Sequence, residues 1–446
     1  MSSPPISGAP GIVIAAPASG SGKTLVTLAL LRALTAAGIT VASAKVGPDY
    51  IDPAFHAAAT GRPCRNLDPW AMRPATLAGL IGGLAADAAL IVCEGVMGLF
   101  DGATATEGST ADLAALTGWP VILIVDARAQ AASAAAVVLG FVRFRPGIRV
   151  AGVIFNRVGG EKHAAILREA CARAVPEVAV LGCLPRDADL ALPERHLGLV
   201  QAGEHPALER FLDRASAWLA AEVDPMAVLR LAKPASGPTS RALPVPVPPL
   251  GQRIALADDV AFAFRYPAIV DGWRAAGCEI GLFSPLADQA PDADADAVYL
   301  PGGYPELHAG RLAGNRTFLD GLRAAAGRGG VVFGECGGYM VLGRGLTDAD
   351  GERHAMAGLL PLETSFAKRR LHLGYRRATL ATAGRLGPVG TGFRGHEFHY
   401  ASVVGEGPGQ PLFAIADAAG HPIGTAGLVD GAVAGSFIHL IDREDS

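Results

Sequence analysis

The apolar run Ile12–Ala16 leads into Pro17-Ala-Ser-Gly-Ser-Gly-Lys-Thr24, after which Leu25, Leu28, Leu31 and Leu34 recur at helical spacing up to Gly38. A strand, a glycine-rich turn and a helix in this order aim several backbone N–H groups and the positive end of the helix dipole at one point. Polyphosphate suits such a point. Further β-branched runs follow up to about residue 230, at Val41–Val46, Ala89–Cys93, Val121–Val125, Val150–Phe155 and Val178–Leu181, separated by alanine- and leucine-rich segments. Continuous apolar strands alternating with helices predict an α/β domain, a mainly parallel sheet covered by helices on both faces.

Residues 233–250 contain too many prolines for a helix or a central strand, so they read as a semi-extended linker between domains at 1–232 and 251–446. A second strand series begins at Ile254–Ala257 and continues at Glu279–Phe283, Ala297–Leu300 and Val331–Phe333, again with helical material between. The second domain is therefore α/β as well, and its last third is richer in strand-like segments. Of the 446 residues half are hydrophobic and 18% charged, enough for a packed interior. A net charge of −4 offers no global field for nucleic acid. The N-terminus lacks a secretory pattern, no apolar run is long enough for a membrane span, and the six cysteines are scattered. These features predict a cytoplasmic protein acting on small molecules, with a homodimer left open.

Within the phosphate loop, Ser19, Gly20, Ser21, Gly22, Lys23 and Thr24 are the expected nucleotide contacts, with Lys23 on the β- and γ-phosphates and the Thr24 hydroxyl on magnesium. The full motif has glycine where this chain has Pro17. Acidic residues stand at the ends of the next strands, in Lys45-Val-Gly-Pro-Asp49-Tyr-Ile-Asp52 and Glu94-Gly-Val-Met-Gly-Leu-Phe-Asp101. Ligands of open α/β sheets gather at those ends, so Asp49 and Glu94 are candidate magnesium ligands. Lys45, Asp52, Asp101 and Arg157 are candidates for substrate binding or activation, and Asn156 for the adenine edge.

Val331-Val-Phe-Gly-Glu-Cys336-Gly-Gly reads as a strand, a tight turn and a helix, an arrangement that exposes a nucleophile at a helix N-terminus. His439, in the final strand, is the candidate base. The backbone N–H groups of Gly337 and of Gly303, in Pro301-Gly-Gly-Tyr304, are candidate oxyanion donors. His396 and His399 sit in strand-like sequence without the spacing of a helical zinc site, which favours a structural or substrate-contacting role over metal. Lys368-Arg369-Arg370 is the densest basic cluster of the second domain and a candidate to attract an anionic substrate.

Taken together and in order, Pro17–Thr24, Lys45–Pro53, Glu94–Gly102, Pro301–Glu306, Gly334–Gly338 and Gly395–Tyr400 resemble the cobyrinic or hydrogenobyrinic acid a,c-diamide synthases across nearly the whole chain. The resemblance implies a nucleotide-binding domain similar to dethiobiotin synthetase and a class I glutamine amidotransferase-like domain. It implies a ligase that forms C–N bonds in cobalamin biosynthesis: ATP and magnesium activate the a and c acetate carboxylates of a corrinoid as acyl phosphates, Cys336 releases ammonia from glutamine, and ammonia displaces phosphate. The resemblance leaves open whether the ring carries cobalt. One departure concerns the glutaminase, where the usual H-x-E reads His439-Leu440-Ile441, and the sequence promotes neither Glu335 nor Asp442 to the third place. Two other readings compete. Cobyric acid synthase shares both domains but amidates other side chains. A septum-positioning or segregation ATPase shares the nucleotide fold, but it carries an extra lysine where this chain has Ala18 and has no use for Cys336 and His439.

Overall fold

The computed structural model describes residues 8–192, 194, 195, 198–240 and 242–445. They form two compact units, the first made of the described residues up to Trp70 with Pro74–Leu243, the second of Ala71–Arg73 with those from Pro244 onward.

In the first unit seven strands, β1 (Gly11–Ala15), β2 (Val41–Val46), β3 (Arg65–Leu67), β4 (Leu90–Glu94), β5 (Val121–Asp126), β6 (Val150–Val158) and β7 (Ala179–Pro185), form one sheet in the order β3-β2-β4-β1-β5-β6-β7. Every neighbouring pair is parallel. β1, β2 and β4 are buried at every position, which is why they are mostly apolar without alternation, with Ser43, Lys45 and Glu94 as the buried polar exceptions. Helix α1 (Lys23–Ala36) leaves the phosphate loop at Gly22, whose φ of 91° is left-handed. A methyl group there would also stand 2.2 Å from the Asn156 amide nitrogen, so glycine is required twice over. Helix α2 (Asp52–Thr60) starts with Pro53 in its first turn, where a missing N–H costs nothing. A two-residue antiparallel pair, β8 (Glu194–Arg195) and β9 (Gly198–Leu199), follows the main sheet.

The proline-rich segment is held along both described parts. Lys233 exchanges backbone hydrogen bonds with Gly11, and the N–H groups of Ser236 and Ser240 donate to Thr117 and Ala78 within the first unit. In the second unit the carbonyls of Val247 and Leu250 accept from Trp273 and Arg385. Prolines supply no N–H, so the donors come from residues between them or from outside.

The second unit is built on a ten-stranded mixed sheet. Its parallel half comprises β10 (Arg253–Ala257), β11 (Glu279–Phe283), β12 (Ala297–Leu300) and β13 (Val331–Glu335), and a smaller four-stranded sheet joins β14 (Gly345–Thr347), β15 (Arg353–Ala355) and β16 (Leu362–Ser365) to β19 (Ser402–Glu406). The remaining strands are β17 (His372–Leu380), β18 (Gly392–His399), β20 (Gln410–Ala416), β21 (Pro422–Asp430), β22 (Val433–Ser436) and β23 (Ile438–Arg443). The large sheet runs β11-β10-β12-β13-β22-β21-β20-β17-β18-β23, parallel as far as β22 and antiparallel beyond. Only Phe437 separates β22 from β23, yet β23 stands at the sheet's far edge. The antiparallel half therefore curls back, and the Leu440 N–H of β23 reaches the Glu335 side chain at the end of β13. This curl brings His439 to the cysteine turn.

Candidate active sites

In the first unit a cavity of about 560 Å³ opens at the carboxyl ends of β1, β2, β4 and β6, with Ser19, Gly20, Gly22, Lys23 and Thr24 along one wall. Lys45, Asp49, Asp52, Glu94, Asn156 and Arg157 also line it, so nearly every residue expected at a nucleotide or substrate site faces one space. Ser21 is spent inside the loop, its hydroxyl donating to the Ala18 carbonyl at 2.9 Å. Asp101 does not line the cavity; it is exposed and accepts from the Gly98 N–H at 2.9 Å, shaping the turn after β4.

Oxygen donors converge at the head of α1. The Thr24 hydroxyl donates to Glu94 Oε1 at 2.7 Å and lies 3.4 Å from Asp52 Oδ2, while Lys45 Nζ reaches the same two carboxylate oxygens at 2.8 and 2.5 Å. A cation already sits among them. Burial opposes the charge on Lys45, but Asp52 and Glu94 outweigh it and hold the ammonium well above its usual pKa. Burial pushes the Asp52 carboxyl up to about 6, with Asp49 adding to the shift and Lys45 opposing it. Burial would also raise the Glu94 carboxyl, but Lys45 and His56 overcome it and keep this group ionised. Asp49 lines the cavity but uses Oδ1 to accept from the N–H groups of Ile51 and Asp52, which fixes the entry to α2. Asp52 rather than Asp49 thus touches the Thr24 hydroxyl. The hydroxyl and carboxylate oxygens of Thr24, Asp52 and Glu94 are the donor type a hard divalent cation takes, and Lys45 is bonded to the two carboxylate oxygens of that set.

Sequence reasoning missed His56, whose Nε2 lies 2.6 Å from Glu94 Oε2 in a fully buried pair. The signal was present: His56 stands four residues after Asp52 on α2, hence on the same helix face. It also missed the Met97 carbonyl, which accepts from Lys23 Nζ at 2.6 Å and parks the ammonium over the loop. Asn156 donates to the Ser21 carbonyl and accepts from the Arg157 N–H, which places its amide under the loop. Arg157 bonds Asp126 and the Gly20 carbonyl at 2.5 and 2.8 Å.

The second site lies at the carboxyl end of β13. Cys336 adopts φ 47° and ψ −102°, a conformation L-residues avoid, between Glu335 and the short helix Gly337–Leu342. Met97, Arg157 and Cys336 are three of the four described non-glycine residues with positive φ, and all three stand at the two candidate sites. Such strain persists where surrounding structure imposes it, commonly at functional turns. The Pro301–Tyr304 loop closes over the cysteine. A methyl group on Gly302 would stand 2.3 Å from His439 Cε1, 3.0 Å from His439 Nε2 and 3.3 Å from Cys336 Cβ, so the imidazole and the cysteine residue approach each other at this glycine. A methyl on Gly337 would stand 3.0 Å from the Gly303 nitrogen, which puts the two expected oxyanion donors side by side.

The Cys336 and His439 side chains are both buried. Burial pushes the Cys336 thiol up, with Glu306 adding to the effect, and burial lowers His439 to about 3, helped by His396 and His399. His396 is paired across the ladder with His439 itself. His399 bonds Glu397 at 3.0 Å and stacks on Phe437 at 3.9 Å, while Glu397 also accepts from Arg376 at 2.8 Å. His372, Glu397 and His399 are close enough to share a metal, but the Arg376 guanidinium already neutralises that carboxylate, so the cluster reads as an ion-pair network. Lys368, Arg369 and Arg370 are exposed in the segment before β17.

Asp442 is excluded from the third place beside His439. It is fully buried, and its oxygens accept from the Arg73 backbone and guanidinium at 2.9 and 3.0 Å.

Both halves match known families: residues 12–200 the CobQ/CobB/MinD/ParA nucleotide binding domain, and residues 253–446 the CobB/CobQ-like glutamine amidotransferase domain. Among the described residues no helix is long and apolar enough to cross a membrane. Over 439 residues the chain is 56% identical to a hydrogenobyrinate a,c-diamide synthase of Rhizobium meliloti (strain 1021), covering 97% of this chain and 99% of that protein. It is 54% identical to the enzyme of the same name from Sinorhizobium sp and 55% to that of Brucella suis biovar 1 (strain 1330), each over 97% of this chain and 98% of the relative. A phosphate loop facing buried carboxylates, a strained cysteine facing a histidine, and this likeness from end to end have one meaning: the chain belongs to the hydrogenobyrinate a,c-diamide synthase family.

Proposed function

We propose that this protein converts the a and c acetate carboxylates of hydrogenobyrinate, the metal-free ring in its relatives' names, to amides, with ATP as the activating reagent and glutamine as the nitrogen source. One observation carries the reading: a phosphate-loop cavity ringed by Thr24, Asp52 and Glu94 and a strained cysteine elbow facing His439 occur in one chain of this family. Residues 1–232 are assigned the ATP chemistry and 251–446 the release of ammonia. A reduced, cytoplasmic setting suits a free nucleophilic cysteine.

In the first unit the N–H groups of the loop from Ser19 to Thr24 cradle the triphosphate, and Lys23 turns from the Met97 carbonyl to the phosphates. Thr24, Glu94 and Asp52 would hold magnesium, which when bound neutralises phosphate charge. Lys45 and Arg157, cationic groups lining the same cavity, orient the ring carboxylate for its attack on the γ-phosphorus. That attack gives an acyl phosphate and ADP.

In the second unit His439 Nε2 takes the Cys336 thiol proton as sulfur attacks the glutamine amide carbon, and the N–H groups of Gly303 and Gly337 receive the oxyanion. The same proton passes to the departing nitrogen, leaving a thioester and ammonia. Water then hydrolyses the thioester to glutamate. Ammonia attacks the acyl phosphate and expels inorganic phosphate.

The test is to incubate the purified protein with ATP, glutamine and either hydrogenobyrinate or its cobalt-containing counterpart. Mass spectrometry of the ring should show two carboxylate-to-amide conversions on the metal-free ring. No conversion of either ring overturns the proposal, and conversion of the cobalt ring alone reassigns the substrate.

A further inference from the structure

The third member of the glutaminase site is absent from its usual position, where the chain has Ile441, and the curl of the sheet supplies a carboxylate from elsewhere. Glu335, adjacent to the nucleophile, has a 3%-exposed side chain, and its Oε2 stands 4.0 Å from His439 Nδ1. On the other side of the ring, Nε2 stands 3.0 Å from the point a methyl on Gly302 would occupy, and Cys336 Cβ lies 3.3 Å from that same point. The Glu335 side chain is held at both ends: Oε1 accepts from the Leu440 N–H at 3.1 Å, and Oε2 accepts from the Tyr299 hydroxyl at 2.7 Å. One residue thus links the nucleophile's strand, the base's strand and β12.

We infer that Glu335 is the positioning carboxylate of this glutaminase, fixing His439 through the Leu440 backbone and stabilising the imidazolium that forms when Nε2 takes the Cys336 proton. The inference rests on the glutaminase reading of Cys336 and His439 proposed above. A carboxylate on the Nδ1 side of a general-base histidine sets its tautomer and favours its charged form. Two other buried or half-buried carboxylates nearby are already committed: Asp442 to Arg73, and Glu397 to Arg376 and His399. The groups facing His439 are Glu335 and Cys336 from the β13 turn and His396 and His399 from β18. Burial first, and then the two histidines, disfavour its charge, and Glu335 Oε2 is the carboxylate oxygen standing 4.0 Å from Nδ1. Burial holds the Glu335 carboxyl near 7, against the opposing pull of Tyr299 and the Leu440 N–H. The carboxylate therefore appears as pH rises through neutrality.

The tests are Glu335→Gln, which keeps the shape and an oxygen for Leu440 but removes the charge, and Tyr299→Phe, which removes only the donor to Oε2. In the full-length protein Glu335→Gln should lower kcat for glutamine-dependent amidation on the order of 10²-fold, less than the ~10⁴ seen where the carboxylate bonds the histidine directly. The KM for glutamine should stay within about threefold of the parent's, because the substrate does not touch Glu335. Tyr299→Phe should move the acid limb of the kcat profile to higher pH, since losing a donor to the carboxylate raises its pKa. A wild-type kcat for Glu335→Gln, or an unmoved acid limb for Tyr299→Phe, overturns the inference. Should Glu335→Gln fail to fold, judged by its thermal melt, the Tyr299→Phe profile alone decides. Cys336→Ala run in parallel separates the readings: if that variant still uses glutamine, the glutaminase reading itself has failed.

Discussion

Gly302→Ala places a single methyl group at the point where the cysteine, the histidine and the covering loop meet. The added carbon would stand 2.3 Å from His439 Cε1, against roughly 3.5 Å for ordinary carbon contact, so the ring or the loop must yield by about 1 Å. A displacement of that size costs on the order of 10²-fold when it separates a base from its proton donor. Backbone strain contributes nothing, since Gly302 is not among the glycines with positive φ. The assay compares kcat/KM for glutamine-dependent amidation with the rate supported by ammonium ion in one preparation, with a thermal melt to confirm folding. A drop of about 10²-fold with glutamine and a near-parental rate with ammonium is expected. Equal glutamine activity in variant and parent would refute the close approach of cysteine and imidazole at this glycine.

In the first unit, Lys23→Ala should lower both glutamine- and ammonia-supported rates by about 10²-fold or more, as loss of a phosphate-stabilising charge does; normal ATP consumption would remove Lys23 from the site. Glu94→Gln leaves Lys45 and His56 short of a buried counter-charge, so besides losing activity it should destabilise the first unit by about 3–5 kcal/mol, read by chemical denaturation; parental stability would show that the pair carries no such weight. His396 and His439 are both held near 3, by burial first, then by Arg376 for His396 and by the neighbouring histidines for His439. The unfolded chain takes up those protons below about pH 6.5, so their contribution is full above that pH and is lost as pH falls toward 3; melts of the parent and His396→Gln should show the shallower pH slope in the variant, and identical slopes contradict the reading. Charge reversal at Lys368, Arg369 and Arg370, all exposed, should raise KM for the ring in a salt-sensitive way and leave KM for ATP alone; an unchanged ring KM would assign them to plain surface.

Features that depend on neighbours along the chain were legible. The phosphate loop and the cysteine turn each need a strand before, glycines within and a helix after, and both signatures lie inside a dozen residues. Contacts made by the sheet's closure were not legible. Glu335 meets Leu440 across 105 positions of chain, and Asp442 meets Arg73 across 369. A strand pattern fixes which face a side chain points to, but not which distant strand it will face. That Asp52 rather than Asp49 touches the Thr24 hydroxyl is a matter of backbone detail, because a carboxylate three residues ahead of a helix can spend its oxygen on the first N–H groups, and Asp49 does. The antiparallel continuation of the second sheet showed in the sequence only as a higher density of strand-like segments. Its curl, which delivers His439 to Cys336, follows from ladder order alone.

The central claim is that one unit activates the ring carboxylate while the other releases ammonia at Cys336. Its most direct test is isotopic: Cys336→Ala is supplied with ATP, hydrogenobyrinate and either glutamine labelled with ¹⁵N in the side-chain amide or ¹⁵N-ammonium, and the ring is weighed by mass spectrometry. Labelled glutamine should give no amide, and labelled ammonium should give two ¹⁵N amides. Two labelled amides from glutamine, or none from either source in a protein that still melts cooperatively, would contradict the claim.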